Sequence, residues 1–81
     1  MNITSETRSK IIRLAANYFA NWKIAAAEHD YDYERIYAER YEAASSMTVL
    51  LGIETSEIET FAYRMYGNEI KSAYESSNAT W

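Results

Sequence analysis

The chain has 81 residues, a net charge of −4, and neither cysteine nor proline. The missing cysteines exclude disulfides, thiolate catalysis and zinc–thiolate sites. The 12 acidic residues outnumber the 8 basic ones, which weighs against non-specific binding to DNA or to anionic membranes. The first glycine is Gly52, so no residue that breaks a helix precedes it. We predict one all-α domain over residues 1–81, a three-helix bundle or an α-hairpin plus a long N-terminal helix.

Helical periodicity predicts a first helix over residues 5–28, which Thr4 or Ser5 can cap. Its apolar residues occupy more than half of the helix circumference and leave a narrow polar sector. A helix of this kind is usually central in its domain. We therefore expect two other helices, or a second subunit, to cover it.

Two further helices are predicted over residues 33–51 and 56–75. Asp30 or Asp32 can cap the second helix, and Gly52 follows it as a stop signal. Ser56 and Glu59 have the spacing of a capping box that opens the third helix. The apolar periodicity continues through Gly67, so we predict a kink or soft spot there and not an end.

Two charged residues interrupt the predicted apolar faces. Arg40 lies in the apolar half of the second helix, and Glu69 lies in that of the third. If these helices form an antiparallel hairpin around Gly52, the two residues differ in height by roughly 3 Å. We predict a buried structural ion pair between Arg40 and Glu69. In the alternative, each charge contacts a partner protein.

The eight tyrosines are more than a small bundle can bury. Surplus aromatic residues with nearby arginines are typical of protein interfaces. We predict that part of the aromatic set contacts a partner protein or a second copy of the chain. The candidates are Trp22, Tyr31, Tyr33, Tyr37, Tyr41, Tyr63, Tyr66 and Trp81.

Residues that catalyse reactions or bind metals are scarce. The single histidine, His29, stands at a helix end, where interaction with the helix dipole is its simplest role. The aspartates near it resemble the start of a calcium loop, but the sixth and twelfth positions are Arg35 and Tyr41. There is no glycine-rich phosphate loop. We expect no cofactor, no metal, no small-molecule ligand and no enzymatic activity.

One segment resembles the helix-turn-helix of DNA-binding proteins. Residues 47–53, followed by Ile58 and Phe61, match its apolar skeleton, with Gly52 at the turn. The resemblance implies a transcription regulator whose recognition helix starts near residue 56. Glu57 and Glu59 would then lie where phosphates and base edges lie, which disfavours nucleic acid as the partner.

Together these features favour a small acidic helical module that binds another protein or forms a homodimer. The N-terminus lacks the pattern of a signal peptide, and no apolar run approaches membrane-spanning length, so we expect a cytoplasmic protein without membrane contact. Similar proteins recur among phage and mobile-element accessory proteins, including inhibitors of bacterial defence systems. The alternatives are a helix-turn-helix regulator and, last, a small helical enzyme or ligand carrier.

Overall fold

A computed structural model describes the backbone of residues 3–79 and the side chains of residues 3–76. This part of the chain forms α1 (Ser5–Ala27), α2 (Tyr31–Leu50) and α3 (Thr55–Ala79), and it contains no strand. The predicted all-α fold with three helices is confirmed. Helix α3 runs unbroken through Gly67 and extends beyond its predicted end. Trp81 lies outside the described residues.

Side chains at the helix starts fix where each helix begins. The Thr4 side chain accepts a hydrogen bond from the Thr7 N–H (3.1 Å) and caps α1, while Asp30 caps α2. The capping box predicted from Ser56 is wrong, because α3 begins one residue earlier. The Glu57 carboxylate instead accepts a hydrogen bond from the Glu54 N–H (2.9 Å) and closes the first turn.

Both corners end their helices with the same hydrogen-bond pattern. After α2, Gly52 adopts a left-handed φ of 80°, and the Ile53 N–H donates to the Thr48 carbonyl oxygen (2.9 Å). After α1, His29 adopts a φ of 59°, and the corresponding bond is also 2.9 Å. This Schellman pattern satisfies the last carbonyl groups of each helix. Ile53 follows directly and is fully buried, which anchors the second corner in the core.

Helix α1 is the central element, as its broad apolar surface predicts. It packs closely against both α2 and α3, whereas α2 and α3 barely touch each other. Trp22, late in α1, stacks on Tyr41, whereas Leu14, earlier in α1, shares a groove with Met47, later in α2, so α2 runs antiparallel to α1. An ion pair between Arg8 and Glu57 joins the starts of α1 and α3, which are parallel. The closely packed hairpin is therefore α1–α2, and the predicted α2–α3 hairpin is wrong.

The core lies where α2 and α3 meet the two sides of α1. Small side chains let α3 approach α1 closely, since Ala16 and Ala62 are both completely buried. The main cluster of buried residues comprises Ile12, Ala15, Ala16, Phe19, Tyr41, Ile53, Ile58 and Ala62. Along its principal axes the molecule measures 48 × 23 × 15 Å. Because packed helices lie about 8–10 Å apart, the helices form little more than one layer with two open faces.

None of the described helices is both long enough and apolar enough to cross a bilayer.

Candidate protein-interaction surface

One face of α2 holds the helix against α1, and a second face carries apolar side chains that stay exposed. The second face repeats at alternating steps of three and four residues, as the a and d positions of a heptad do. We name it the α2 stripe. Its members are Tyr33, Ile36, Arg40, Ala43, Met47 and Leu50, all of them exposed. The exposed fraction reaches 61% for Met47 and 78% for Leu50, so the apolar ends of the stripe are open to solvent.

The helix exposes this stripe because α1 covers a different set of α2 residues. Only Tyr41 and Thr48 are buried along α2. Each follows a stripe residue, Arg40 or Met47, by one position, which turns it about 100° around the helix axis. Packing against α1 therefore leaves the stripe on an uncovered face.

An apolar groove of about 280 Å³ runs between α1 and α2 beside the stripe. Its lining residues are Ile11, Leu14, Ala15, Ala44, Met47, Thr48 and Leu51. Met47 belongs to both groove and stripe, and Leu14 extends the apolar surface onto α1 with 55% of its surface exposed. The one lining hydroxyl, that of Thr48, donates to the Ser45 carbonyl oxygen at 2.9 Å. The groove and the stripe thus form one continuous apolar surface.

The predicted ion pair between Arg40 and Glu69 is wrong. Both side chains are exposed, and no ion pair among the described residues joins them. The two helices lie on different sides of α1, so these residues do not face each other. The guanidinium of Arg40 instead lies over the ring of Tyr37, 5.5 Å from its centroid. Arg40 is therefore the one charge within the α2 stripe, and it forms no ion pair with any acidic side chain of residues 3–76.

Part of the predicted aromatic set belongs to the core. The aromatic residues of the core surround Phe19. The ring centroid of Phe19 lies 5.2 Å from that of Tyr41 and 5.6 Å from that of Tyr63. Tyr41 is buried, so its prediction as an interface residue is corrected. Trp22 is half-buried, and the Lys23 ammonium covers its ring at 4.3 Å from the centroid. Of these residues only Tyr63 is largely open to solvent, with 51% of its surface exposed.

The other predicted aromatic residues are distributed over the molecule. Tyr33 lies in the α2 stripe and stacks on the half-buried Tyr37, with 6.2 Å between ring centroids. Tyr31 is 70% exposed beside the ring of His29. Tyr66 is half-buried and lines a shallow cleft between α3 and α1. Of the predicted aromatic residues that the structure describes, Tyr33 belongs to the stripe and Tyr37 lies beside it.

Sequence reasoning did not identify the aliphatic members of the stripe as exposed, because it treated the apolar half of α2 as a single face. The sequence of α2 does contain a pattern that separates the two faces. The apolar half of α2 contains two interleaved heptad series, and one helix neighbour can cover only one of them. The exposed series is 33, 36, 40, 43, 47 and 50, and the series that faces α1 is 37, 41, 44, 48 and 51.

Among the described residues, the pKa values of Tyr41 and Glu57 are shifted, and both groups lie away from the stripe. The Tyr41 hydroxyl is buried and has no hydrogen-bond partner in the described part of the chain; burial raises the pKa of Tyr41, and the charge of Glu59 adds to this. The hydrogen bond from Arg8 lowers the pKa of Glu57, and the bond from the backbone of Glu54 adds to that. Both shifts follow from packing around α1, so they mark structural contacts and not a reactive centre.

Within the described residues, no three His, Asp or Glu side chains are grouped so that they could hold a metal ion. Comparisons with protein-family models, with curated proteins and with solved structures give no match to this chain. Its function must therefore be inferred from its own surface.

Proposed function

We propose that this chain acts by binding another protein, and that the α2 stripe and the adjoining groove are the contact surface. The observation that supports this is the exposure of Met47 and Leu50 in a regular apolar row on α2, whose neighbouring face packs against α1. Burying apolar surface contributes about 25 cal/mol per Å², so a partner that covers the row gains binding energy. Contiguous apolar surface of this kind commonly marks a protein-binding site.

A binding role also suits the side-chain chemistry. The chain has no cysteine and one histidine, and that histidine forms a helix corner. We therefore infer a non-enzymatic protein that acts in the cytoplasm. By analogy with other small acidic helical proteins, we propose an accessory protein of a phage or mobile element, with inhibition of a bacterial defence system as its role.

A capture experiment with matched variants tests the contact surface. Tagged wild-type protein, Met47→Glu and Val49→Glu are used as bait in a bacterial lysate that also contains an untagged copy of the chain. Val49 is 58% exposed, close to the 61% of Met47, but lies off the stripe on another side of α2. We expect wild type and Val49→Glu to capture the same protein and Met47→Glu to lose it. Equal capture by Met47→Glu, with unchanged helical circular dichroism, would contradict the proposal.

DNA binding is the second candidate, because the corner at Gly52 forms as the helix-turn-helix resemblance implies. Two observations count against it. Helices α2 and α3 barely touch, and Glu57 in the first turn of α3 is occupied by Arg8. A DNA-binding protein shows non-specific affinity for duplex DNA at low salt. We expect no such affinity for this chain, and salt-dependent binding would favour the regulator.

A further inference from the structure

We propose that the partner of the α2 stripe is a second copy of this chain, bound with the two α2 helices antiparallel. This inference rests on the proposed function and names the partner for the same surface. It follows from the order of side chains along the stripe. When two copies of the stripe are placed antiparallel, the side chains that come opposite each other can pack together.

Size complementarity defines the register. If a twofold axis passes midway between Arg40 and Ala43, the large Arg40 of one copy lies opposite the small Ala43 of the other. The same axis places large apolar side chains opposite each other on both sides of this centre. The pairs are Ile36 with Met47, and Tyr33 with Leu50. Every apolar member of the stripe is then covered by the same surface of the second copy, as an isologous interface requires.

The charge of Arg40 selects the antiparallel orientation. In a parallel pair the two Arg40 side chains would meet, and like charges in an apolar seam repel. In the antiparallel pair, Glu39 of the second copy lies about one helical turn from Arg40, roughly 6 Å along the axis. An arginine side chain spans that distance. Arg40, the one cation of the stripe, forms no ion pair with the described part of its own chain and thereby gains an acidic partner.

The size of the surface sets the strength of the dimer. The stripe from Tyr33 to Leu50 is about 26 Å long, and Leu14 adds apolar surface beside Met47. A standard interface uses about 20–30 residues from each partner, which is more than the stripe and groove provide. We therefore expect a dimer that dissociates on dilution.

Sedimentation equilibrium over a wide concentration range tests the dimer. We expect the mass of the wild-type protein to rise from 9.4 kDa towards twice that value. Met47→Glu places a carboxylate in the apolar seam and should raise the dimer Kd about tenfold or more, while Val49→Glu should match wild type. A monomer mass at every concentration, or equal weakening by both variants, would overturn the proposal.

A charge exchange tests the orientation. Arg40→Glu should weaken the dimer, because each new carboxylate then lies near Glu39 of the second copy. Adding Glu39→Arg to that variant restores opposite charges across the interface and should recover most of the affinity. If the double variant is as weak as Arg40→Glu, or if Arg40→Glu has no effect, the antiparallel register is wrong.

The two proposals can fail separately. If the chain stays monomeric while Met47→Glu alone abolishes capture of a different protein, the second copy is excluded as partner and the binding function stands. If the chain neither dimerises nor captures any protein through Met47, both proposals fail.

Discussion

The hydroxyl group of Tyr41 is buried and has no hydrogen-bond partner among the described residues, although its ring packs against Phe19 and Trp22. Tyr41→Phe keeps the ring contacts and removes the unsatisfied polar atom. We expect this variant to be more stable than wild type by about 1 kcal/mol in urea unfolding at neutral pH. A clear loss of stability would show that the hydroxyl contributes a favourable interaction.

The same residue predicts how stability responds to alkaline pH. Burial, assisted by the charge of Glu59, raises the pKa of Tyr41 in the folded protein. A group with a raised folded pKa contributes fully below its unfolded pKa, and that contribution is lost as the pH rises through the folded value. Above about pH 10 the wild-type protein should lose stability more steeply than Tyr41→Phe. Parallel stability curves for the two proteins would contradict this.

The ion pair of Arg8 and Glu57 makes the stability of the fold depend on pH in the acidic range. The hydrogen bond from Arg8 lowers the pKa of Glu57, so its contribution is present above the unfolded pKa and is lost as the pH falls through the folded pKa. Arg8→Gln should return the Glu57 pKa towards the ordinary range in an NMR titration of the carboxyl carbon. An unchanged titration would show that Arg8 does not hold this carboxylate. The effect on total stability should be small, because both side chains are partly exposed.

At the scale of helices and corners, the two glycines should respond to the same substitution in opposite directions. Apart from the neighbouring backbone, no described atom lies within 4 Å of where a Cβ would stand at either glycine, so the backbone conformation decides the effect. Gly52→Ala forces alanine into the left-handed region and should cost about 1 kcal/mol. Gly67→Ala removes a glycine from the interior of α3 and should add about 1 kcal/mol. Thermal unfolding measures both, and shifts in the same direction would contradict the two assignments.

The helices could be predicted from sequence because local signals set them. Apolar periodicity, Thr4, Asp30 and Gly52 mark the starts and stops, and they act within a few residues. Which face of α2 meets α1 could not be predicted. The two apolar series on α2 have the same spacing, so the spacing alone does not show which of them packs against α1. In the structure the series that contains Tyr41 and Thr48 is buried, and the other series is the exposed α2 stripe.

At the scale of the whole molecule, the central position of α1 could be predicted, but the arrangement of its neighbours could not. A broad apolar arc suits either a compact bundle or a flat layer. The contacts of Arg8 with Glu57 and of Phe19 with Tyr63 join α3 to α1, and α2 packs against α1 while barely touching α3. The 15 Å thickness follows from that arrangement, and so does the separation of Arg40 from Glu69.

Burial of the α2 stripe by a bound protein can be measured by methyl NMR with a soluble paramagnetic agent. Met47 and Leu50 report on the stripe, and Val49 reports on another side of α2. With rising protein concentration, we expect the methyl groups of Met47 and Leu50 to become protected while those of Val49 stay accessible. Equal accessibility of all three at every concentration, and also in the presence of any captured protein, would contradict it.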